Sequence, residues 1–172
     1  MSGLEGIRVG LLTVSDRVAE GSRPDVGGQA LAERVEGAGG VVVARLVVAD
    51  ERPAITAAVG DLAARADVVL TSGGTGLGPR DVTPEATREV LDREAPGIAE
   101  ALRRAGMDAT PFGMLSRGLA GLVGRALVIN LPGNPRAVGE SWVVLEPVLA
   151  HAVRTARGPV RDDAHRAPPR PP

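Results

Sequence analysis

One stretch decides how this chain folds: Thr71-Ser-Gly-Gly-Thr-Gly-Leu-Gly-Pro-Arg-Asp-Val-Thr-Pro-Glu85. It follows the apolar run Asp67-Val-Val-Leu70, which predicts a strand buried on both faces of a parallel sheet. It ends at Thr83-Pro84-Glu85, where an N-cap Thr followed by Pro predicts a helix start. Glycine-rich backbone between a strand and a helix can turn its N–H groups towards an anion. The stretch therefore predicts a phosphate-binding loop, with a plain glycine-rich turn as the alternative.

Strands and helices alternate on both sides of this stretch. Apolar runs predict further strands, and apolar residues at helical spacing predict helices. The strands fall at residues 7–14, 41–48 and 125–131, and the helices at 29–38, 53–66, 84–94, 96–105 and from Pro135 onward. Alternation of this kind predicts an α/β fold, a mostly parallel, doubly wound sheet with helices on both faces in three layers.

Three segments are less regular. Residues 107–124 are interpreted as loop with short structured pieces, and Pro147 predicts a kink or break near Glu146 in the last helix. Residues 158–172 are rich in Arg, Asp and Pro, which predicts a disordered tail. Residues 1–157 are then expected to form a single domain.

Missing residue types narrow the chemistry. The 172 residues include no Cys, and all twenty basic residues are Arg, which excludes thiol chemistry, Schiff-base lysines and a lysine-dependent phosphate loop. With only two His, a histidine metal cluster or a Ser-His-Asp triad is not expected. The remaining carboxylates, hydroxyls, guanidinium groups and backbone amides suit Mg²⁺ and phosphate chemistry.

Charge and hydropathy narrow the partners and the location. A net charge of −1 and only two aromatic residues, Phe112 and Trp142, predict no binding to nucleic acid. No apolar run reaches about 18 residues and the N-terminus lacks a signal-peptide pattern, so we expect no membrane contact and a cytoplasmic location.

Polar residues mark four predicted strand ends. They are Ser15-Asp16, Asp50, the glycine loop with Asp81, and Pro132-Gly-Asn-Pro135. Because parallel strands end at one edge of a sheet, these loops are expected to share one crevice, where Asp50 and Asp81 act together. The alternative to a catalytic role for Asp50 is that it is a helix N-cap or a solvated acid in a turn. A Rossmann dinucleotide site is not indicated, since Pro79 stands where the third glycine is needed.

Several motifs together resemble the MogA/MoaB family, the molybdopterin adenylyltransferases of molybdenum cofactor synthesis. Thr71–Gly76 with Pro79–Pro84 resembles the family's core motif. The other matching segments, in chain order, are Val14–Arg17 with Asp25 and Gly28, Ala49–Glu51, Pro96-Gly97, Leu115–Arg117 and Ile129–Pro135. The resemblance covers roughly residues 7–155.

The resemblance implies a reaction and a set of partners. Family members use Mg-ATP to form adenylyl-molybdopterin and release pyrophosphate, and a second protein later inserts molybdate. It further implies a homotrimer that works with molybdopterin synthase and a molybdate insertase. Mg²⁺ is the implied cofactor, and ATP is the co-substrate.

The resemblance also implies roles for individual residues. Asp50 and Asp81 become the essential acids and the Mg²⁺ ligands, and Ser116 lies near the pterin. The remaining implied contacts to nucleotide or substrate are Ser15, Asp16, Ser72, Gly73, Gly74, Thr75, Gly76, Arg80, Pro132, Gly133 and Asn134. Arg80 and Arg136 could either neutralise phosphate charge or be ordinary surface arginines.

Alternatives of other classes keep the fold and change the role. The chain could be a non-catalytic pterin-binding or carrier homologue, or an assembly domain related to larger scaffold proteins. A CinA-like protein would act on another nucleotide-like molecule. The retained Asp50 and Asp81 favour the enzyme over a mere binding role.

Overall fold

The computed structural model describes residues 3–158, which form one six-stranded sheet flanked by helices. The strands are β1 (Arg8–Val14), β2 (Val41–Val48), β3 (Val68–Ser72), β4 (Arg93–Glu94), β5 (Ala120–Val123) and β6 (Ala126–Leu131). Their order in the sheet is β2-β1-β3-β6-β5-β4. The first four are parallel, while β5 and β4 run antiparallel to their neighbours. The predicted α/β fold with a mostly parallel sheet is confirmed.

Helices cover both faces of the sheet. They are α1 (Asp16–Ala19), α2 (Val26–Gly37), α3 (Arg52–Arg65), α4 (Thr83–Val90), α5 (Pro96–Ala109) and α6 (Pro135–Arg157), with a short 3-10 helix at Pro111–Leu115. Residues of α2, α5 and α6 pack into one apolar core on one face, and residues of α3 and α4 pack into a second core on the other. This is the three-layer arrangement predicted from the sequence.

Burial explains the pattern of each strand. Every residue of β3 and β6 is buried, because helices cover them on both sides, so their sequences are mostly apolar. In β1, Val9 and Leu11 join one core while Leu12 and Val14 join the other. The outermost strand β2 alternates between exposed and half-buried residues, as expected at a sheet edge.

The predicted helix over residues 84–94 is wrong at its end. α4 stops at Val90, and Arg93–Glu94 forms the edge strand β4 instead. Its start also differs, since Val82 is the N-cap and Thr83 is already helical. The Thr83 hydroxyl donates to the Gly73 carbonyl at 2.9 Å, which ties the helix start to the glycine loop.

Residues 107–124 consist of loop with short structured pieces, as predicted, although the preceding helix runs to Ala109 and not only to residue 105. They contain the end of α5, the 3-10 helix Pro111–Leu115 and strand β5. The break predicted at Pro147 does not occur, because α6 continues to Arg157. Pro147 lacks an N–H, but the carbonyl left without it belongs to Val143, whose side chain is 72% exposed, so water can satisfy it.

Two further predictions concern the ends and surface of the chain. The predicted tail, residues 158–172, lies outside the described residues except for Gly158, so the division at 157 stays a prediction. Within residues 3–158, no helix combines the length and the apolar character that crossing a membrane requires.

Candidate active site

The site lies where the chain reverses direction across the sheet. β1 and β3 are neighbours, yet the chain leads from β1 to β2 on one side and from β3 towards β6 on the other. Such a point opens a crevice at the carboxyl ends of the strands. A cavity of about 350 Å³ lies there. The predicted site residues that line it are Ser15, Asp50, Ser72, Gly73, Gly74, Thr75, Gly76, Asp81, Pro132, Gly133 and Asn134.

Glycine is required at the start of the loop after β3. Gly73 and Gly74 have positive φ angles of 107° and 65°. A Cβ on Gly73 would stand 2.2 Å from the Val14 carbonyl oxygen, so the loop could not pass β1 with any larger residue.

The loop leaves only part of its backbone free for a ligand. The Gly73 N–H donates to the Leu131 carbonyl at 3.0 Å, so Gly73, a ligand contact implied by the family resemblance, does not offer its N–H to a ligand. The N–H groups of Gly74, Thr75 and Gly76 have no acceptor within residues 3–158. These three successive donors form the anion-binding part of the loop.

Asp16 and Asp50 hold each other through reciprocal hydrogen bonds. The Asp16 N–H donates to Asp50 Oδ2 at 2.8 Å, and the Asp50 N–H donates to Asp16 Oδ1 at 2.9 Å. This pair ties the loop after β1 to the loop after β2. The N-cap alternative for Asp50 is wrong, because α3 has Glu51 as its N-cap residue.

Arg80 binds Asp16 with both arms of its guanidinium group. Its Nε donates to Asp16 Oδ2 at 3.0 Å and its Nη2 to Oδ1 at 2.8 Å. Neither Arg80 nor Asp16 lines the cavity; Asp16 is bonded to Asp50, which does line it, and Arg80 is bonded to Asp16. Arg136, the other arginine with two readings, pairs with Glu140 on the surface of α6.

The surroundings of Asp50 and Asp16 shift their pKa values in opposite directions. Burial raises the pKa of Asp50, and the charges of Asp16 and Asp81 add to this, while the Asp16 N–H and Arg80 oppose it. The hydrogen bonds from Arg80 and from the Asp50 N–H hold the pKa of Asp16 below its usual range. A cation bound beside Asp50 would therefore favour its ionised form.

Asp81 is folded back on its own turn. The Gly78 N–H donates to Asp81 Oδ2 at 2.8 Å, and the Asp81 N–H donates to the Gly78 carbonyl at 3.0 Å. Asp50 and Asp81 thus share a pattern: a backbone N–H fixes one carboxylate oxygen. Within the described chain, the other oxygen of each has no hydrogen-bond partner.

Arg117 clamps the glycine loop from the far side. Its Nε donates to the Gly76 carbonyl at 2.7 Å, its Nη2 donates to the Asp81 carbonyl at 2.6 Å, and its Nη1 pairs with Glu85. Its own N–H donates to the Thr75 carbonyl at 2.9 Å. Burial raises the pKa of Glu85, but the Arg117 guanidinium more than offsets this and holds it below its usual range.

The turn after β6 forms the opposite wall. Asn134 has a φ of −91°, and its side chain caps α6 by accepting the Ala137 N–H at 2.8 Å. The Ser72 hydroxyl donates to the Pro132 carbonyl at 3.3 Å, which joins this turn to the glycine loop. The Ser15 hydroxyl caps α1 in the same way as Asn134 caps α6.

A second cavity of about 260 Å³ adjoins the first, and both are lined by Thr75, Gly76, Pro132 and Asn134. Ser116 lines this second cavity and not the first, so the predicted residues divide between two compartments. Leu102, Phe112 and Leu115 give it an apolar wall. We call the two the acidic cavity and the apolar cavity.

Sequence reasoning missed several residues of these cavities. Thr13, Arg23 and Gly27 line the acidic cavity, while Phe112 and Glu140 line the apolar one. Arg117 appeared only as part of a matching tripeptide. No spacing rule could find these residues, because their partners come from distant segments of the chain.

The donor set at the acidic cavity suits a hard cation. Residues 3–158 contain no cluster of three or more metal-binding side chains. Mg²⁺ does not need one, since it commonly keeps several waters and binds through one or two carboxylates together with substrate phosphates. Asp50 and Asp81, each with an oxygen left over, fit that mode of binding.

The fold and the cavities define the class: a doubly wound α/β domain with an acidic, glycine-lined cavity at the carboxyl ends of its strands. A family model described as a probable molybdopterin binding domain matches residues 10–151, and the chain belongs to this family. The resemblance predicted from the motifs is thereby confirmed.

Relatives of the chain carry related names. It is 34% identical over 154 residues to the molybdopterin adenylyltransferase of Helicobacter pylori J99, covering 87% of this chain and 88% of that one. It is 38% identical over 156 residues to the molybdenum cofactor biosynthesis bifunctional protein of Synechococcus elongatus, covering 90% of this chain and 49% of that one. The chain spans 49%, 26% and 22% of the length of three larger curated relatives that it matches.

A solved structure agrees with the computed one. The molybdopterin biosynthesis enzyme MoaB from Thermus thermophilus superposes with a TM-score of 0.82 at 49% identity. The match covers 87% of this chain and 96% of that one.

Proposed function

We propose that this protein is a molybdopterin adenylyltransferase of molybdenum cofactor biosynthesis. It transfers AMP from Mg-ATP to the terminal phosphate of molybdopterin and releases pyrophosphate. The observation that carries the proposal is the meeting of Asp50, Asp81 and three free loop N–H groups around one cavity. The names of the relatives supply the substrate.

The reaction needs positioning more than acid–base catalysis. An oxygen of the molybdopterin phosphate attacks the α-phosphorus of ATP, a new P–O bond forms, and the bond to the β-phosphate breaks. A phosphate monoester is largely ionised at pH 7, so no general base has to remove a proton. This suits a cavity lined by neither His nor Lys. The chain's task is to align two anionic groups and reduce their repulsion.

Each wall of the acidic cavity has a part in this. The N–H groups of Gly74, Thr75 and Gly76 donate to phosphate oxygens of ATP. Asp50 and Asp81 hold Mg²⁺, which neutralises charge on the polyphosphate when bound. Arg80 keeps Asp16 ionised and in place, so that the Asp16 N–H orients Asp50. The apolar cavity, with Ser116, takes the pterin.

The wider setting follows from the same family. We propose a cytoplasmic homotrimer that receives molybdopterin from molybdopterin synthase and passes adenylyl-molybdopterin to a molybdate insertase.

The test is pyrophosphate release from ATP and Mg²⁺ in the presence of molybdopterin. We expect release from the wild type and at least about a hundredfold less from Asp81→Asn, which removes one negative charge from the cavity. Asp108→Asn, an exposed aspartate of α5, is the matched control and should keep the wild-type rate. Equal rates for the wild type and Asp81→Asn would refute the proposal, and pterin binding without turnover would favour a binding-only homologue.

A further inference from the structure

The apolar cavity has one charged residue in its lining. Of the described residues that surround it, only Glu140 is ionisable, whereas Asp25, Asp50, Asp81 and Arg23 line the acidic cavity. Glu140 lies in the second turn of α6, following Asn134 and Ala137 along the same face. A lone carboxylate in an apolar compartment selects a ligand edge that carries hydrogen-bond donors.

The surroundings of Glu140 leave it able to accept such donors. Its side chain is 27% exposed, and its Oε1 accepts Arg136 Nε at 3.0 Å. That arginine is 84% exposed, so the pair is a weak surface ion pair that holds the carboxylate without occupying it fully. Each carboxylate oxygen has two acceptor positions, and Oε2 has no partner within residues 3–158.

The remaining walls of the cavity suit a flat ring. Phe112, 74% exposed on the 3-10 helix, lines the cavity together with Leu115 and Leu102. An aromatic side chain this exposed gains free energy when a planar heterocycle covers it. The 3-10 helix can fold back on α5 because Gly106 and Gly113 touch, and a Cβ on Gly113 would stand 2.2 Å from the Gly106 carbonyl carbon.

We infer that Glu140 determines the choice of heterocycle by binding the amino-pyrimidinone edge of the pterin. A pterin presents its 2-amino group and its N3–H side by side as two donors. A carboxylate accepts both in parallel, as it accepts the two arms of an arginine. A heterocycle with a carbonyl at C2 would instead place an acceptor against the carboxylate, which costs affinity. The inference rests on the proposed function for the identity of the substrate.

The experiment compares two heterocycles, one with an amino group at C2 and one with a carbonyl there. Binding of 6-hydroxymethylpterin and of 6-hydroxymethyllumazine, its 2-oxo analogue, is measured by fluorescence anisotropy. We expect the wild type to bind the pterin at least about tenfold more tightly, the range of a hydrogen bond to a charged group. Glu140→Gln, which can donate to the lumazine carbonyl, should bring the ratio close to one.

Two further variants separate this role from a general effect on folding. Glu36→Gln removes an exposed carboxylate near the C-terminal end of α2 that lines neither cavity, and it should keep the wild-type ratio. Arg136→Gln removes the ion pair but keeps the Glu140 carboxylate, so it should also keep the preference. A wild type that does not discriminate, or a Glu140→Gln variant that discriminates as well as the wild type, overturns the inference.

Turnover separates failure of this inference from failure of the proposed function. In the pyrophosphate assay, Glu140→Gln should raise KM for molybdopterin about tenfold or more with kcat within about twofold of wild type, because the residue is remote from the transferred phosphoryl group. Pterin preference without pyrophosphate release leaves the inference standing and refutes the adenylyltransferase. Pyrophosphate release without pterin preference supports the adenylyltransferase and refutes the inference about Glu140.

Discussion

At the residue scale, the acidic cavity depends on how each carboxylate is held. Asp16 is paired with Arg80 and stays ionised, while Asp50 is partly desolvated and faces the negative charge of Asp81. Their reciprocal hydrogen bonds join the two residues into one unit, so Asp50 keeps its position although its ionised form is disfavoured. The protein thus retains an acid in an unfavourable place, which is typical of functional sites.

Replacing that acid should separate activity from stability. The folded-state pKa of Asp50 is raised, so its ionisation above that pKa costs folding free energy, and protonation at lower pH removes the cost. Asp50→Asn keeps an oxygen for the Asp16 N–H and removes the charge. We expect a rise in Tm at pH 7 that vanishes near pH 4, together with at least about a hundredfold loss of pyrophosphate release.

Thermal unfolding at pH 7 and pH 4 measures the first effect. The control is Asp61→Asn, an exposed carboxylate paired with Arg65 on α3. A Tm for Asp50→Asn that falls at pH 7 by more than that of the control would contradict the account of its pKa.

At the scale of elements, the loop between β3 and α4 is held from three directions. Leu131 in β6 accepts the Gly73 N–H, Thr83 in α4 bonds the Gly73 carbonyl, and Arg117 bonds the Gly76 and Asp81 carbonyls. A glycine-rich loop loses much backbone entropy when it is ordered. These anchors offset that loss and keep the loop N–H groups oriented without a ligand.

Arg117→Met should loosen this loop and weaken the fold. The change removes two bonds to loop carbonyls and leaves Glu85, whose Oε2 is already buried without a partner, lacking its counter-charge. We expect a loss of about 2 kcal/mol in the free energy of unfolding, measured by urea denaturation. Arg88→Met, which breaks the exposed pair with Glu94 and removes a weaker charge interaction with Glu85, should cost less than about 1 kcal/mol. Equal losses in the two variants would show that the Arg117 clamp contributes nothing of its own.

At the scale of the whole molecule, Asp67 joins three distant segments at the end of the sheet opposite the cavities. The buried carboxylate accepts the Arg8 N–H at 2.9 Å and the Arg8 Nη2 at 3.0 Å, and it pairs with Arg157 at 2.6 Å. Burial raises its pKa, but the hydrogen bonds from the two arginines outweigh this and hold the pKa well below its usual range. The end of α6 is thereby fixed to the start of β1 and β3.

Asp67→Asn should therefore destabilise the fold and leave the chemistry unchanged. Because the folded-state pKa is depressed, the carboxylate stabilises the fold fully above about pH 4 and progressively less as the pH falls towards the folded-state pKa. We expect a loss of about 2 kcal/mol at pH 7 that shrinks with acidification, measured by urea denaturation at several pH values. Asp67 directly precedes β3, and Ser72 at the other end of that strand lines the acidic cavity. The strand separates the two residues by about 16 Å, so kcat should stay unchanged. A loss that is the same at every pH would refute the role of the charge.

The predictable part of the fold consisted of long, regular elements. β3 and β6 were predicted because helices cover both of their faces, which favours runs of mostly apolar residues. β4 was not predicted because its two residues, Arg93 and Glu94, are exposed at the sheet edge and show no hydrophobic pattern. The break predicted as one outcome at Pro147 was wrong, because the exposed carbonyl that the proline leaves unpaired can bond water.

Some features of the candidate site could likewise be predicted from the sequence, and others could not. The sequence by itself determined the acids, the glycine loop and the strand-end turns, since parallel strands necessarily bring such ends to one edge. Only the tertiary structure decided that Asp16 and Asp50 bond each other across 34 residues, that Arg117 clamps the loop, and that Ser116 and Glu140 face a second cavity. The physical reason is that local chemistry limits the form of each segment, whereas contacts between distant segments exist only once the packed sheet holds them together.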